Sequence, residues 1–243
     1  MDQFPEVLAH GAIEEVFPDI FFVRGAMETV LQGMDWQFSR NMTVVRDAER
    51  LIIINSVRLS DDGLAELDKL GRVTDVVRLG CLHGRDDQFY VDRYNADYWT
   101  LPGVGQEDGS KASDQKAVRT LTEDGVLPIS DACLFQFRTT QMPEGILRID
   151  RAGGILIACD ALQNWLAPDE YFSDASRELM QQMEFFTPAN LGPVWLQAAT
   201  PAGEDFARLK ALSFRHALCG HGDPLHETAY EDYHATFNRI FGV

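Results

Sequence analysis

The chain has 243 residues, 45% of them hydrophobic and 10% aromatic, enough apolar material for a sizeable core and too much for a disordered acidic tail. Its 21 basic residues against 38 acidic ones leave a formal charge of −17, a surface that repels phosphate backbones, so nucleic acid is not an expected partner. No run approaches the roughly 18 apolar residues of a membrane span, and Met1-Asp2-Gln3-Phe4-Pro5-Glu6 lacks the basic and apolar regions of a secretory signal.

The N-terminal third reads as strands. Residues 19–24, 36–46 and 51–57 are apolar or alternating, with the polar turn Arg46-Asp47-Ala48-Glu49-Arg50 between the last two. Ser60-Asp61-Asp62-Gly63 offers a helix cap, and Leu64, Leu67 and Leu70 follow at helical spacing until Gly71. Residues 73–79 form the next strand, closing a β-α-β unit whose parallel strands are buried on both faces. Residues 103–116, rich in Gly, Asp and Ser, read as an exposed loop. Further strands are expected at 132–138, 145–150 and 154–159, the last two as a hairpin. Helices follow at 173–186, 204–212 and 227–240, with a short strand at 214–219. Two β-rich runs, each finished by helices, imply two packed sheets with helices outside.

The strand at 73–79 runs into His83-Gly84-Arg85-Asp86-Asp87-Gln88, which sets imidazole and carboxylate groups at the C-terminal end of a buried strand, where open α/β sheets carry their chemistry. Cys81, Cys133, Cys159 and Cys219 form no C-x-x-C pair and each adjoins an apolar segment. Buried, reduced thiols in a cytoplasmic protein are the expectation. Trp165, Trp195, Phe185 and Phe186 read as core, His216 as a strand residue, and His10 and His234 as surface positions.

Three segments in order resemble the metallo-β-lactamase fold superfamily. The first stands where that family has H-x-H-x-D-H. The second, Gly154-Ile155-Leu156-Ile157-Ala158-Cys159-Asp160, is similar to the family's glycine-bearing strand that ends in a metal-bridging aspartate. The third, Leu218-Cys219-Gly220-His221-Gly222, is similar to its late Gly-His-Gly. Arg85 and Gln88 stand in place of two histidines of the first motif, and Gln141 in place of the family's middle histidine.

The resemblance implies a mixed α/β (α+β) fold, a four-layered αβ/βα sandwich of the metallo-β-lactamase type, as a single domain over residues 1–243. It implies one divalent ion (zinc, iron or manganese) on Asp87, Asp160 and His221, with His83 adjacent and Gln88 as a weak oxygen donor. The implied activity is hydrolysis of an ester, thioester or similar small substrate at a reduced, mononuclear centre, with Asp87 and Arg85 as catalytic residues and Arg85 orienting an anionic group. The rival reading is a non-catalytic relative that binds a partner or small molecule, in which Arg85 pairs with Asp87 or Asp160 and takes over the ion's electrostatic role.

Overall fold

The structure, a computed structural model, describes residues 4–31, 33–104 and 118–243. Strands β1 (Glu14–Phe17), β2 (Ile20–Leu31), β3 (Met34–Asp47) and β4 (Arg50–Ile54) run as an antiparallel meander. Helix α1 (Asp61–Leu70) then crosses to β5 (Arg72–Arg78), which lies parallel to β4. Helix α2 (Asp87–Tyr94) crosses to β6 (Asp97–Thr100), and β7 (Arg119–Thr120) completes a seven-stranded sheet in parallel. The second sheet joins β8 (Ala132–Gln136), β9 (Gly145–Ile149) and β10 (Ile155–Ala158) antiparallel. After β10 come β11 (Leu162–Gln163), α3 (Asp174–Gln182), β12 (Asn190–Leu191), α4 (Pro193–Ala199) and α5 (Gly203–Leu209). β11 pairs with β12 as a two-stranded ribbon, β13 (His216–Cys219) joins the second sheet parallel to β10, and α6 (Ala229–Phe241) follows.

Period-2 alternation builds the layers. Along β4, Ile52 and Ile54 join the core shared with Leu147, Ile155 and Ile157 of the second sheet, while Leu51 and Ile53 join Leu64, Leu67 and Tyr90 of α1 and α2. Along β10, Ile155 and Ile157 face the first sheet, and Leu156 and Ala158 meet Trp195, Phe206 and Phe237 of α4, α5 and α6. Each sheet is therefore apolar on both faces, and the order is helices, sheet, sheet, helices. This is the αβ/βα sandwich expected from the sequence.

Boundaries moved where propensity was weak. β2 extends well past residue 24, pairing as far as Leu31 with Met34, because tertiary pairing overrides the mixed composition of residues 25–31, while β3 lies close to the expected 36–46. The expected strand at 51–57 ends at Ile54, since Asn55 turns left-handed at φ 55°. α3 stops at Gln182, before Glu184 at φ 60°, and α6 starts at Ala229. From residue 105 on, the 103–116 loop lies outside the described residues. None of the four cysteines is in a disulfide, but only Cys159 and Cys219 are buried. Cys133 pairs across the sheet with Arg148 and is exposed on edge strand β8, and Cys81 is half-buried. His10 is not a surface residue: it is half-buried and hydrogen-bonded to Ser60. Among the described residues no helix is long and apolar enough to cross a membrane.

The serine caps are as expected: Ser60 Oγ accepts from Gly63 N at 3.3 Å and Ser173 Oγ from Ser176 N at 3.2 Å. Ser173→Ala is expected to lower unfolding free energy by about 1 kcal/mol in urea denaturation; no change would mean that the α3 cap contributes nothing.

Candidate metal centre

β5, β10 and β13 deliver their C-terminal ends to one edge of the sandwich, and the residues just beyond them converge. His83 follows β5 by a short loop, Asp160 follows β10 after Cys159, and His221 follows β13 after Gly220. His83 Nε2 lies 3.1 Å from His221 Nε2 and 3.5 Å from Asp160 Oδ2, and His221 Nε2 lies 3.3 Å from Asp160 Oδ1. All three residues are buried.

Polar side chains from within apolar strands hold these loops. Arg78, at the end of β5, donates from Nε to Gly80 O at 3.0 Å and from Nη2 to Cys81 O at 2.7 Å, gripping the loop that carries His83. Asn41 of β3 donates to Cys219 O at 3.0 Å and to Gly222 O at 2.7 Å, bracketing His221. Asn55 donates to Ala158 O at 2.9 Å, just before Asp160. A Cβ at Gly220 would stand 2.9 Å from His83 Cε1, so only glycine lets the two histidines approach.

Glu144 fixes the backbone at Asp160. Its Oε1 accepts from the backbone N–H of Asp160 at 2.7 Å and of Ala161 at 2.8 Å. Burial, and then the neighbouring Asp160, push its carboxyl well above the usual range. It fits only because residue 80 is glycine: a Cβ there would stand 2.2 Å from Glu144 Oε2 and 2.9 Å from Cys159 Sγ. Gly80→Ala is expected to cost about 1–3 kcal/mol of stability in urea unfolding. An unchanged midpoint would show that Glu144 is not seated there.

Burial and neighbouring charge set the protonation of these groups, with Arg40 and Arg78 adding positive charge beside His83. Burial lowers the His83 pKa to about 3, so its imidazole is neutral at pH 7. Burial pushes the Asp160 carboxyl upward, but His83 and His221 outweigh it and hold the group below the ordinary carboxylate range. His221 Nδ1 lies 3.0 Å from Ser39 O, which can only accept, so Nδ1 carries a proton and Nε2 is the nitrogen turned to the centre. Zinc–ligand bonds of roughly 2.0–2.1 Å in a tetrahedron put ligand atoms about 3.3–3.4 Å apart. The observed separations are close to that spacing, 3.1 Å between the two Nε2 atoms and 3.5 and 3.3 Å from them to the carboxylate, with His83 meeting Oδ2 and His221 meeting Oδ1 of Asp160. Two imidazoles and one carboxylate also suit iron, so the donor set fits a single divalent ion. Cys159 Sγ donates to Asp160 Oδ2 at 3.1 Å. His83, Cys159 and Asp160 also form a group whose donor atoms lie within 4.8 Å of one another. Burial, Asp160 and Glu144 push the Cys159 thiol well upward.

The other sequence candidates go elsewhere. Asp87, expected as a ligand and catalytic group, is turned into a buried network: Oδ1 accepts from Ser56 Oγ at 2.5 Å and Oδ2 from Tyr98 OH at 2.9 Å. Burial raises its pKa. Gln88 donates to Asp92 Oδ1 at 2.5 Å on the exposed side of α2. Arg85 does not pair with Asp87 or Asp160; its guanidinium donates to Asp86 Oδ1 at 2.9 Å and to Glu6 O at 3.0 Å, tying the N-terminal segment to the motif. The substitution of arginine for histidine thus recruits Asp86, which the sequence reading passed over. Asp86 is fully buried and its Oδ2 accepts from Arg40 and, at 2.8 Å, from Arg58 N. Arg40, Asn41, Asn55 and Glu144 were also missed; their one sequence signal is a polar residue inside or beside a long apolar run.

Above the centre lies a cavity of about 190 Å³, walled largely by aromatic and aliphatic side chains and reached by His83, Asp160 and His221, with Arg40 and Arg85 also on its lining. Trp165, Trp195 and Phe185, read as core, are buried and at the same time wall this cavity.

No family model matches the chain, and no curated protein matches it. Solved structures do. The DIM-1 metallo-β-lactamase exposed to ceftazidime superposes with a TM-score of 0.60 at 12% identity, over 97% of this chain and 99% of that one. A metallo-β-lactamase from Erythrobacter litoralis gives 0.55 at 12% identity, over 97% and 96%. A β-lactamase domain protein from Burkholderia ambifaria gives 0.54 at 14% identity, over 92% and 72%. Identities this low speak to architecture alone, and they agree with the layer order and strand connections above: the chain has the metallo-β-lactamase fold.

Proposed function

We propose that this protein is a metal-dependent hydrolase of small molecules, formed as one domain over residues 1–243, with a single divalent ion held by His83, Asp160 and His221. The carrying observation is a buried cluster at the cavity lining, two imidazole nitrogens 3.1 Å apart with the two oxygens of one carboxylate 3.5 and 3.3 Å from them. A divalent ion bound there supplies Lewis acidity and makes water more acidic at neutral pH. His221 is aimed by Ser39 O, Asp160 by Glu144, and His83 by the Arg78-held loop, while the apolar walls exclude bulk water. Arg85, 22% exposed in its side chain at the cavity lining, is the group that meets an anionic part of the substrate. Water adds to the acyl carbon of an ester or thioester, and the carbon–oxygen or carbon–sulfur bond breaks, leaving a carboxylate and an alcohol or thiol. Free thiols and an acidic surface support a cytoplasmic setting with neither nucleic acid nor membrane as partner.

Against the resemblance-based ligand set, this reading takes Asp87 and Gln88 out of the centre and places His83 in it. Metal analysis of protein purified without chelator tests it. Wild type and Asp87→Asn are both expected to carry one ion per chain, with zinc, manganese or iron restoring ester hydrolysis after removal. Loss of the ion in Asp87→Asn would return that residue to the ligand set. One observation favours the non-catalytic alternative: the His83–His221 pair can close on itself as an N–H···N hydrogen bond with no ion between. Absence of stoichiometric metal in the wild type would establish it.

A further inference from the structure

The cavity's own shape and chemistry narrow the substrate of the proposed centre. Of the four tryptophans in the chain, Trp36, Trp165 and Trp195 line it, together with Phe38 and Phe185. These rings interlock edge to face: Trp165 lies 6.2 Å from Phe38 at 87°, and Trp36 lies 6.4 Å from Phe185 at 60°. The aromatic wall begins at the centre itself, with the Trp165 and Phe38 rings 4.9 and 5.7 Å from the His221 ring. Burial then falls toward the mouth, where the lining residues Leu31 and Leu82 are 38% and 42% exposed. An apolar cavity of about 150 Å³ is known to take up benzene. At about 190 Å³, this one has room for a single ring and a short link below its mouth.

We propose that the site takes an ester or thioester whose acyl part is one compact aromatic group joined directly, or through one carbon, to the reacting carbonyl. This rests on the hydrolase reading for the reaction, but the guest is assigned from the cavity alone. A ring seated there meets the edges and faces of five aromatic side chains, whose offset and edge-to-face contacts favour it over an aliphatic group of equal size. A long acyl chain overfills the space, and an acetyl group leaves it empty.

Binding can be read without turnover, because three of the four tryptophans report on the cavity. Zinc-loaded wild-type protein is titrated with phenylacetate, acetate and decanoate while tryptophan emission is followed. Saturable quenching by phenylacetate at a Kd at least tenfold below those of acetate and decanoate is the expected result. In Thr29→Phe, which enlarges a half-exposed strand residue at the lining, the phenylacetate Kd is expected to rise at least tenfold with metal content unchanged. Equal affinities, tighter decanoate binding, or an unaffected Thr29→Phe would overturn the assignment. Hydrolysis of the matching phenylacetyl, acetyl and decanoyl thioesters separates the two claims. Selective phenylacetate binding without turnover of any of them keeps the guest and removes the hydrolase; turnover with no preference for the phenylacetyl ester keeps the hydrolase and removes the guest.

Discussion

Asp86→Ala is expected to lower unfolding free energy by about 3–5 kcal/mol, the cost of leaving a buried cation without its partner. Asp86 is fully buried, and Arg40 is 96% buried in its side chain. One carboxylate serves the Arg40 guanidinium, the Arg58 backbone N–H and Arg85, and so ties β3, the segment after β4 and the His83 loop together. Removing it strands Arg40 beside the metal centre. The double variant Arg40→Met/Asp86→Leu removes both charges and replaces them with apolar volume, so it is expected to recover most of the loss. Urea unfolding of the three proteins decides the matter. A loss under about 1 kcal/mol in Asp86→Ala would show that the pair is solvated and carries none of this load.

Asp160→Ala is expected to weaken zinc binding by at least about a hundredfold and to reduce ester hydrolysis to background, since it removes the one anionic ligand among three. The fold should persist, because Asp160 sits at the end of β10 rather than within the core, and Glu144 still accepts from the backbone at residues 160 and 161. Chelator competition gives the affinity and circular dichroism the fold. Zinc binding within threefold of wild type would remove Asp160 from the centre, whatever the activity.

The layered architecture could be read from the sequence because the strands are short, strongly apolar and alternately shared between two cores. Leu51, Ile52, Ile53 and Ile54 show it in four residues. The glycine-flanked His221 and the strand-terminal Asp160 were also legible, through the resemblance of their two segments to the metallo-β-lactamase pattern. The side-chain directions were not legible. His83-Gly84-Arg85-Asp86-Asp87-Gln88 holds two adjacent carboxylates, and spacing cannot say which one faces the centre. In the structure neither does: Asp86 is claimed by Arg40, 46 residues away, and Asp87 by Ser56 and Tyr98. These partners come from strands whose register is set by the fold, so the choice is a tertiary one. The distal part of the β2–β3 hairpin, beyond residue 24 of β2, escaped for the same reason, although it borders the cavity through Met27, Thr29 and Leu31.

X-ray absorption on the zinc-loaded protein tests the central assignment most directly. The account predicts one ion per chain with two imidazole nitrogens and one carboxylate oxygen at about 2.0–2.1 Å, the remaining position being filled by a light oxygen donor, and no sulfur in the shell. A shell with a sulfur at about 2.3 Å, fewer than two imidazoles, or no stoichiometric ion would contradict it.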